Sequence, residues 1–250
     1  MVSVLADDIL IDGGADVWID SKNSHDLKIN NLELTNGTTL GIVTTNDLNF
    51  TLHIEGTMKF APDTLVDFSH INNMRLNATN WWTSYNLGNV MFAHILQISG
   101  GYVTIDGNVN VTDRDYHSRY DSKVIVNAEM LRLTGKATLE TAFFFAHAHG
   151  PIWIDSGFNL TSIIKQTCSA EYHVPKMFSC IPPKALNPEI TFESFMENYD
   201  QQFGVKSDQI EDTVSILAKG YLVYLMSENY IVVDEASIHA PRIGFCSPNI

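Results

Sequence analysis

Cysteine is scarce. Three in 250 residues cannot make a disulfide scaffold. No CxxC pair and no His/Cys ligand spacing occurs, so no structural zinc site is expected and no cofactor is implied. Basic residues are also few: 15 Lys and Arg stand against 29 Asp and Glu, giving a net charge of −14. Such a field repels phosphate backbones, which excludes nucleic acid as an expected partner. Charged residues make up 18% of the chain and apolar residues 45%, the balance of a folded, lightly charged protein. No apolar run reaches the roughly 18 residues of a membrane-spanning helix. The opening Met1-Val2-Ser3-Val4-Leu5-Ala6-Asp7-Asp8 has no basic segment, and its apolar run is too short for a signal peptide.

What the chain has is repetition. Leu131-Arg132-Leu133-Thr134-Gly135-Lys136-Ala137-Thr138-Leu139 alternates apolar and polar residues on both sides of a glycine. Two short strands sharing one apolar face, with a bend between them, produce that pattern. Ile9-x-Ile11-x-Gly13, Leu32-x-Leu34-x-x-Gly37, Leu52-x-Ile54-x-Gly56, Met74-x-Leu76-x-Ala78, Leu96-x-Ile98-x-Gly100 and Ile152-x-Ile154-x-x-Gly157 repeat it. The small residues at 13, 37, 56, 78, 100, 135 and 157 are 24, 19, 22, 22, 35 and 22 apart. A fixed period of this size marks a repeat architecture. It is too short for a propeller blade of about 40–45 residues, and the asparagine-centred leucine-rich consensus with its helical back is missing. The reading is an all-β parallel β-helix solenoid with coils of about 22 residues; the alternative is an antiparallel sandwich of short alternating strands.

Two stretches break the period. Asp113 to Ser122, charged and aromatic, reads as a loop projecting from one edge, the place where repeat proteins collect binding residues. Residues 165–212 change character more fully: Pro182, Pro183 and Pro188 lead to one short α-helix from Thr191 to Phe203. Phe192, Phe195, Met196, Tyr199 and Phe203 form its apolar stripe, Thr191 its N-cap and Gly204 its end. The organisation expected is β-helix coils over 1–164, an insertion at 165–212, and coils of the same domain resuming over 213–250. The first repeat begins almost at Met1 and the last residues are still repeat-like, whereas a solenoid needs polar caps. The chain therefore reads as a piece of a longer protein, with further repeats or other chains as partners.

Candidate chemistry is thin. Cys168 and Cys180 flank a turn-rich loop and form the expected disulfide ring in an oxidising compartment, leaving Cys246 odd. Asn36, Asn49, Asn77, Asn110 and Asn159 each begin an Asn-x-Thr glycosylation sequon. Trp81, Trp82 and Tyr85 offer aromatic faces for stacking a sugar, against the ordinary role of large aromatics in a core. Asp113 and Asp115 are the nearest approach to a catalytic carboxylate pair, beside Arg114 and Arg119, which make solvated ion pairs the simpler reading. His147 and His149 alternate and would share one strand face; as a metal pair they lack a carboxylate partner.

The Gly-punctuated coils resemble the pectin-lyase-like superfamily in coil architecture. That resemblance implies a right-handed parallel β-helix. In the superfamily's polysaccharide hydrolases, clustered aspartates and a Gly-His-Gly element lie on adjacent coils. Here His147-Ala148-His149-Gly150 is the nearest match, without the paired aspartates. The coils, the sequons and Ile238-His239-Ala240-Pro241-Arg242-Ile243-Gly244-Phe245-Cys246 also resemble segments of very large extracellular repeat proteins of protists. Together these imply a non-catalytic structural or adhesive segment at the cell surface. A carbohydrate-active enzyme on the same fold is the second expectation, and an intracellular scaffold solenoid the third.

Overall fold

The computed structural model describes residues 5–21, 25–43, 49–78, 80, 82–112, 122–135, 137–162, 222–239 and 242–248. Their strands, in chain order, are β1 (Leu5–Ile11), β2 (Asp16–Asp20), β3 (Asp26–Leu34), β4 (Thr39–Val43), β5 (Asn49–Ile54), β6 (Thr57–Phe60) and β7 (Leu65–Phe68). Next come β8 (Asn73–Ala78), β9 (Ser84–Leu87), β10 (Asn89–Phe92), β11 (Ile95–Ile105), β12 (Val109–Val111), β13 (Lys123–Leu133) and β14 (Thr138–Thr141). The last are β15 (Phe143–Ala148), β16 (Ile152–Ile154), β17 (Asn159–Ser162), β18 (Leu222–Ser227), β19 (Ile231–Val233), β20 (Ser237–His239) and β21 (Arg242–Cys246). Among the described residues every strand pairing is parallel, and none of these residues forms a helix. The expected Thr191–Phe203 helix lies outside them.

The chain is a parallel β-solenoid with coils of about 24 residues. Each turn has three strand stations. The first two contribute to a 13-stranded sheet and the third to an 8-stranded sheet running β2-β4-β7-β10-β12-β14-β17-β20. Long strands such as β3, β11 and β13 run through the first two stations unbroken. Elsewhere the chain splits there: β3 pairs with β5 through Asp26–Ile29 and with β6 through Leu32–Leu34.

Alternation explains the strands. In β5, Phe50, Leu52 and Ile54 point inward and are buried, while Asn49, Thr51 and His53 point out. Parallel pairing then sets like upon like. Leu32, Met58, Tyr85, Val103, Leu131 and Ile152 follow one another in register up the second station, all at most 1% exposed. Burying each such side chain is worth about 1.5–3 kcal/mol, so the stack is the main stabilising element.

The corner between the second and third stations is a built device. Thr38, Thr64, Ala137 and Phe158 each donate their backbone N–H to the carbonyl three residues earlier, those of Thr35, Ala61, Thr134 and Asp155. Thr38 and Thr64 add a side-chain bond of 2.7 Å to the same carbonyl. Gly37 and Gly157 turn this corner at φ 77° and 87°.

These positions correct the sequence reading of the small-residue markers. Gly13, Gly37, Gly135 and Gly157 occupy this corner, but Gly56, Ala78 and Gly100 lie at the junction of the first and second stations. The interval of 35 from Gly100 to Gly135 therefore joins two different corners. Measured at one station, the step varies from Val90–Val109 to Val109–Leu139, 19 to 30 residues.

Parallel pairing also joins strands far apart in sequence. β15 pairs with β18 from Phe143–Leu222 to Ala148–Ser227, and β16 pairs with β19. The expected insertion at 165–212 lies between these strands and outside the described residues. Paired coil strands stand on both sides of it.

Candidate functional site

β15 is buried along its whole length. Phe144, Ala146 and Ala148 enter the solenoid core. Phe143, Phe145 and His147 point to the outer side, and that side is buried too. Phe145 stacks parallel on Tyr224 of the next turn, ring centroids 6.0 Å apart. His147 shares this apolar layer and is 2% exposed.

The ladder runs one residue past the strands and so fixes the side chains just beyond them. His149 donates its N–H to the Ala128 carbonyl at 3.0 Å, and Glu228 donates to the Ala148 carbonyl at 2.9 Å. Ser227, fully buried, donates its hydroxyl to the Gly150 carbonyl at 2.8 Å and accepts the Asn229 N–H at 3.0 Å. His149 and Glu228 therefore stand side by side on consecutive turns, although 79 positions separate them.

Three metal-type side chains meet at this point. Glu228 Oε1 lies 2.9 Å from His149 Nδ1 and 3.3 Å from His147 Nε2. The two imidazoles are edge to face, with centroids 4.8 Å apart. All three ligand atoms lie within 4.8 Å of one another. His149 and Glu228 reach solvent, at 34% and 33% exposure. Neither ring nitrogen of His147 makes a directed hydrogen bond. Burial, and then the neighbouring His149, hold His147 below the ordinary histidine pKa; Glu228 pulls the other way. His147 is thus a buried imidazole facing a carboxylate. His149 also borders an open cleft of about 210 Å³ with Asn80, Ser99, Asn127 and Glu129.

The carboxylate whose absence weakened the His147–His149 pair is Glu228. Local pattern could not identify it, because only the pairing of β15 with β18 brings it near. Asp113, Asp115, Trp81, Cys168 and Cys180 lie outside the described residues. Tyr85 is 1% exposed, which corrects its place in a sugar-stacking surface: the ring fills the core. Trp82 is 54% exposed. An exposed aromatic pair that the sequence reading did not single out is Trp153, 39% exposed and edge-on to Tyr230 at 5.9 Å. Asn36, Asn49 and Asn159 are exposed, while Asn77 and Asn110 are half-buried. Cys246 is disulfide-bonded.

The fold defines the class as a parallel β-solenoid. No protein-family model, curated protein or solved structure matches the chain.

Proposed function

We propose that this chain is a non-catalytic structural or adhesive segment of an extracellular or cell-surface protein, built as a pectin-lyase-like β-helix of the kind found in very large repeat proteins. The observation that carries this reading is the outer face of the 8-stranded sheet. One row up that face runs through Asp16, Thr39, Leu65 and Asn89 and on through Thr138, Asn159 and Ser237, mostly hydroxyl and amide side chains. Members of the row bond to the turn corners beside them: Thr138 Oγ1 donates to Asn108 Oδ1 at 2.7 Å, and Asn89 Oδ1 accepts the Asn108 N–H at 2.9 Å. Such a row suits a structural ladder.

In the neighbouring row, Asp67 and Glu140 are separated by Met91 and Asn110. Three steps of about 4.8 Å put them roughly 14 Å apart. Paired carboxylates of glycoside hydrolases stand about 5–9.5 Å apart. Three further features support a surface protein. Asn36, Asn49 and Asn159 are exposed, Cys246 is disulfide-bonded, and Trp153 with Tyr230 offers an aromatic face suited to carbohydrate. Ile243 and Phe245 on β21 are 42% and 37% exposed although they pair with buried Val223 and Leu225. An apolar strand on which no other described strand stacks suits further repeats or another chain as partner.

Glycopeptide mass spectrometry with non-reducing disulfide mapping on native material tests the reading. Glycans on Asn36, Asn49 and Asn159 and an oxidised Cys246 are expected. Bare sequons with a reduced Cys246 would favour the intracellular scaffold instead. Release of reducing or unsaturated ends from a panel of polysaccharides would replace it with the enzyme reading.

A further inference from the structure

We propose that His147, His149 and Glu228 bind one divalent transition-metal ion, zinc foremost, which ties the turn carrying β15 to the turn carrying β18.

The donor set selects the class of ion. Two imidazoles and one carboxylate suit zinc, cobalt, nickel or copper, whereas magnesium and calcium prefer all-oxygen shells. Distances agree with a tetrahedral ion. Zinc bonds to nitrogen and oxygen are about 2.0–2.2 Å long, so neighbouring ligand atoms around it stand about 3.3 Å apart. Glu228 Oε1 already stands 3.3 Å from His147 Nε2 and 2.9 Å from His149 Nδ1. All three ligand atoms lie within 4.8 Å of one another, so side-chain adjustment has to bring the widest pair towards that spacing.

The second observation is His147 itself. It is 2% exposed, neither nitrogen makes a well-directed hydrogen bond, and its Nε2 stands 3.3 Å from Glu228 Oε1. Coordination through Nε2 gives this buried polar ring a directed partner. The fourth position faces the solvent side, where His149 and Glu228 are a third exposed, and a water fills it.

Backbone order prepares the site. The Glu228 N–H to the Ala148 carbonyl and the two bonds of Ser227 hold the adjacent turns in place before any ion arrives. The ion's contribution is to close a long loop. It joins His149 to Glu228 across 79 positions, and cross-links gain most where the closed loop is long. His147 Nδ1 has no acceptor to orient the ring. Loss of such a supporting bond typically weakens metal binding about 10–100-fold, so an affinity well below that of a fully supported zinc site is expected.

The test uses the full chain, stripped with chelator and titrated with Zn²⁺ by calorimetry, with Co²⁺ absorption as a spectroscopic readout. One equivalent of Zn²⁺ should bind, raise the melting temperature by several degrees and be matched by a four-coordinate Co²⁺ band. Glu228→Gln, a conservative change at a partly exposed position, should weaken binding at least tenfold and abolish the band. His147→Ala should do the same, and His25→Ala, at an exposed histidine remote in sequence, should change nothing. Absence of binding at about 100 μM Zn²⁺, or equal binding by wild type and Glu228→Gln, would overturn the proposal. So would a melting shift reproduced by Mg²⁺ or Ca²⁺.

Discussion

Tyr85→Phe should make this protein more stable. Tyr85 is among the largest fully buried side chains, 1% exposed, and its hydroxyl has no hydrogen-bond partner. Burial also drives its pKa above the ordinary tyrosine range. A buried, unsatisfied polar group costs about 1–3 kcal/mol. Removing one oxygen leaves a gap smaller than a methylene and forfeits a few dispersion contacts, each about 0.1–0.2 kcal/mol. The balance favours Phe by about 1–2 kcal/mol, a rise of roughly 2–8 °C in melting temperature at 2–4 °C per kcal/mol. Repeat arrays lose turns independently, so a global melt alone is a blunt measure. Urea unfolding should be paired with amide exchange at Tyr102, whose N–H donates to the Thr83 carbonyl at 2.9 Å in the turn beside Tyr85. Slower exchange there and a higher urea midpoint are expected. Tyr85→Leu should lose about 2–4 kcal/mol by leaving a cavity, which shows that the ring is needed and the hydroxyl is not. If Tyr85→Phe loses 0.5 kcal/mol or more, roughly what a made hydrogen bond contributes, the hydroxyl has a partner in solution and the reasoning fails.

The same ring accounts for a glycine. A Cβ on Gly100 would overlap Tyr85 Cε2 and Cδ2, so Gly100→Ala should destabilise by about 1–3 kcal/mol, and a double-mutant cycle with Tyr85→Leu should recover part of it in urea melts. The Asn36 sequon can be removed in two ways with different consequences. Asn36→Gln, at an exposed corner, should leave stability within about 0.5 kcal/mol, whereas Thr38→Ala removes a buried bond of 2.7 Å to Thr35 and should lose about 1 kcal/mol or more in thermal melts of aglycosylated protein.

Period and alternation were enough to read a parallel solenoid, because every turn solves the same packing problem and writes it locally. Leu131-x-Leu133 is inward-facing in the structure as its spacing requires. The corner assignment was less legible. Gly56 and Gly100 resemble Gly135 in sequence, yet they relieve crowding at a different junction. Gly100 is glycine because Tyr85 packs against it, a relation no spacing records. Tyr85 follows exposed Trp82 by three residues, so its neighbours pointed to a surface while the inward phase of β9 put it in the core. The His-x-His element was visible on β15, but Glu228 was not, since nothing near residue 228 resembles a ligand motif. Its partnership depends on pairing across 79 positions, which local pattern does not encode.

The parallel ladders have a mechanical consequence. Hydrogen bonds between turns lie along the solenoid axis, so tension applied along that axis loads them a few at a time and peels the molecule turn by turn. Each turn released would lengthen the chain by about 24 residues, roughly 80 Å when extended. The seam between β15 and β18 is the exception. It joins neighbours in space that are 79 residues apart in sequence, and so holds in reserve the longest extension among the described turns.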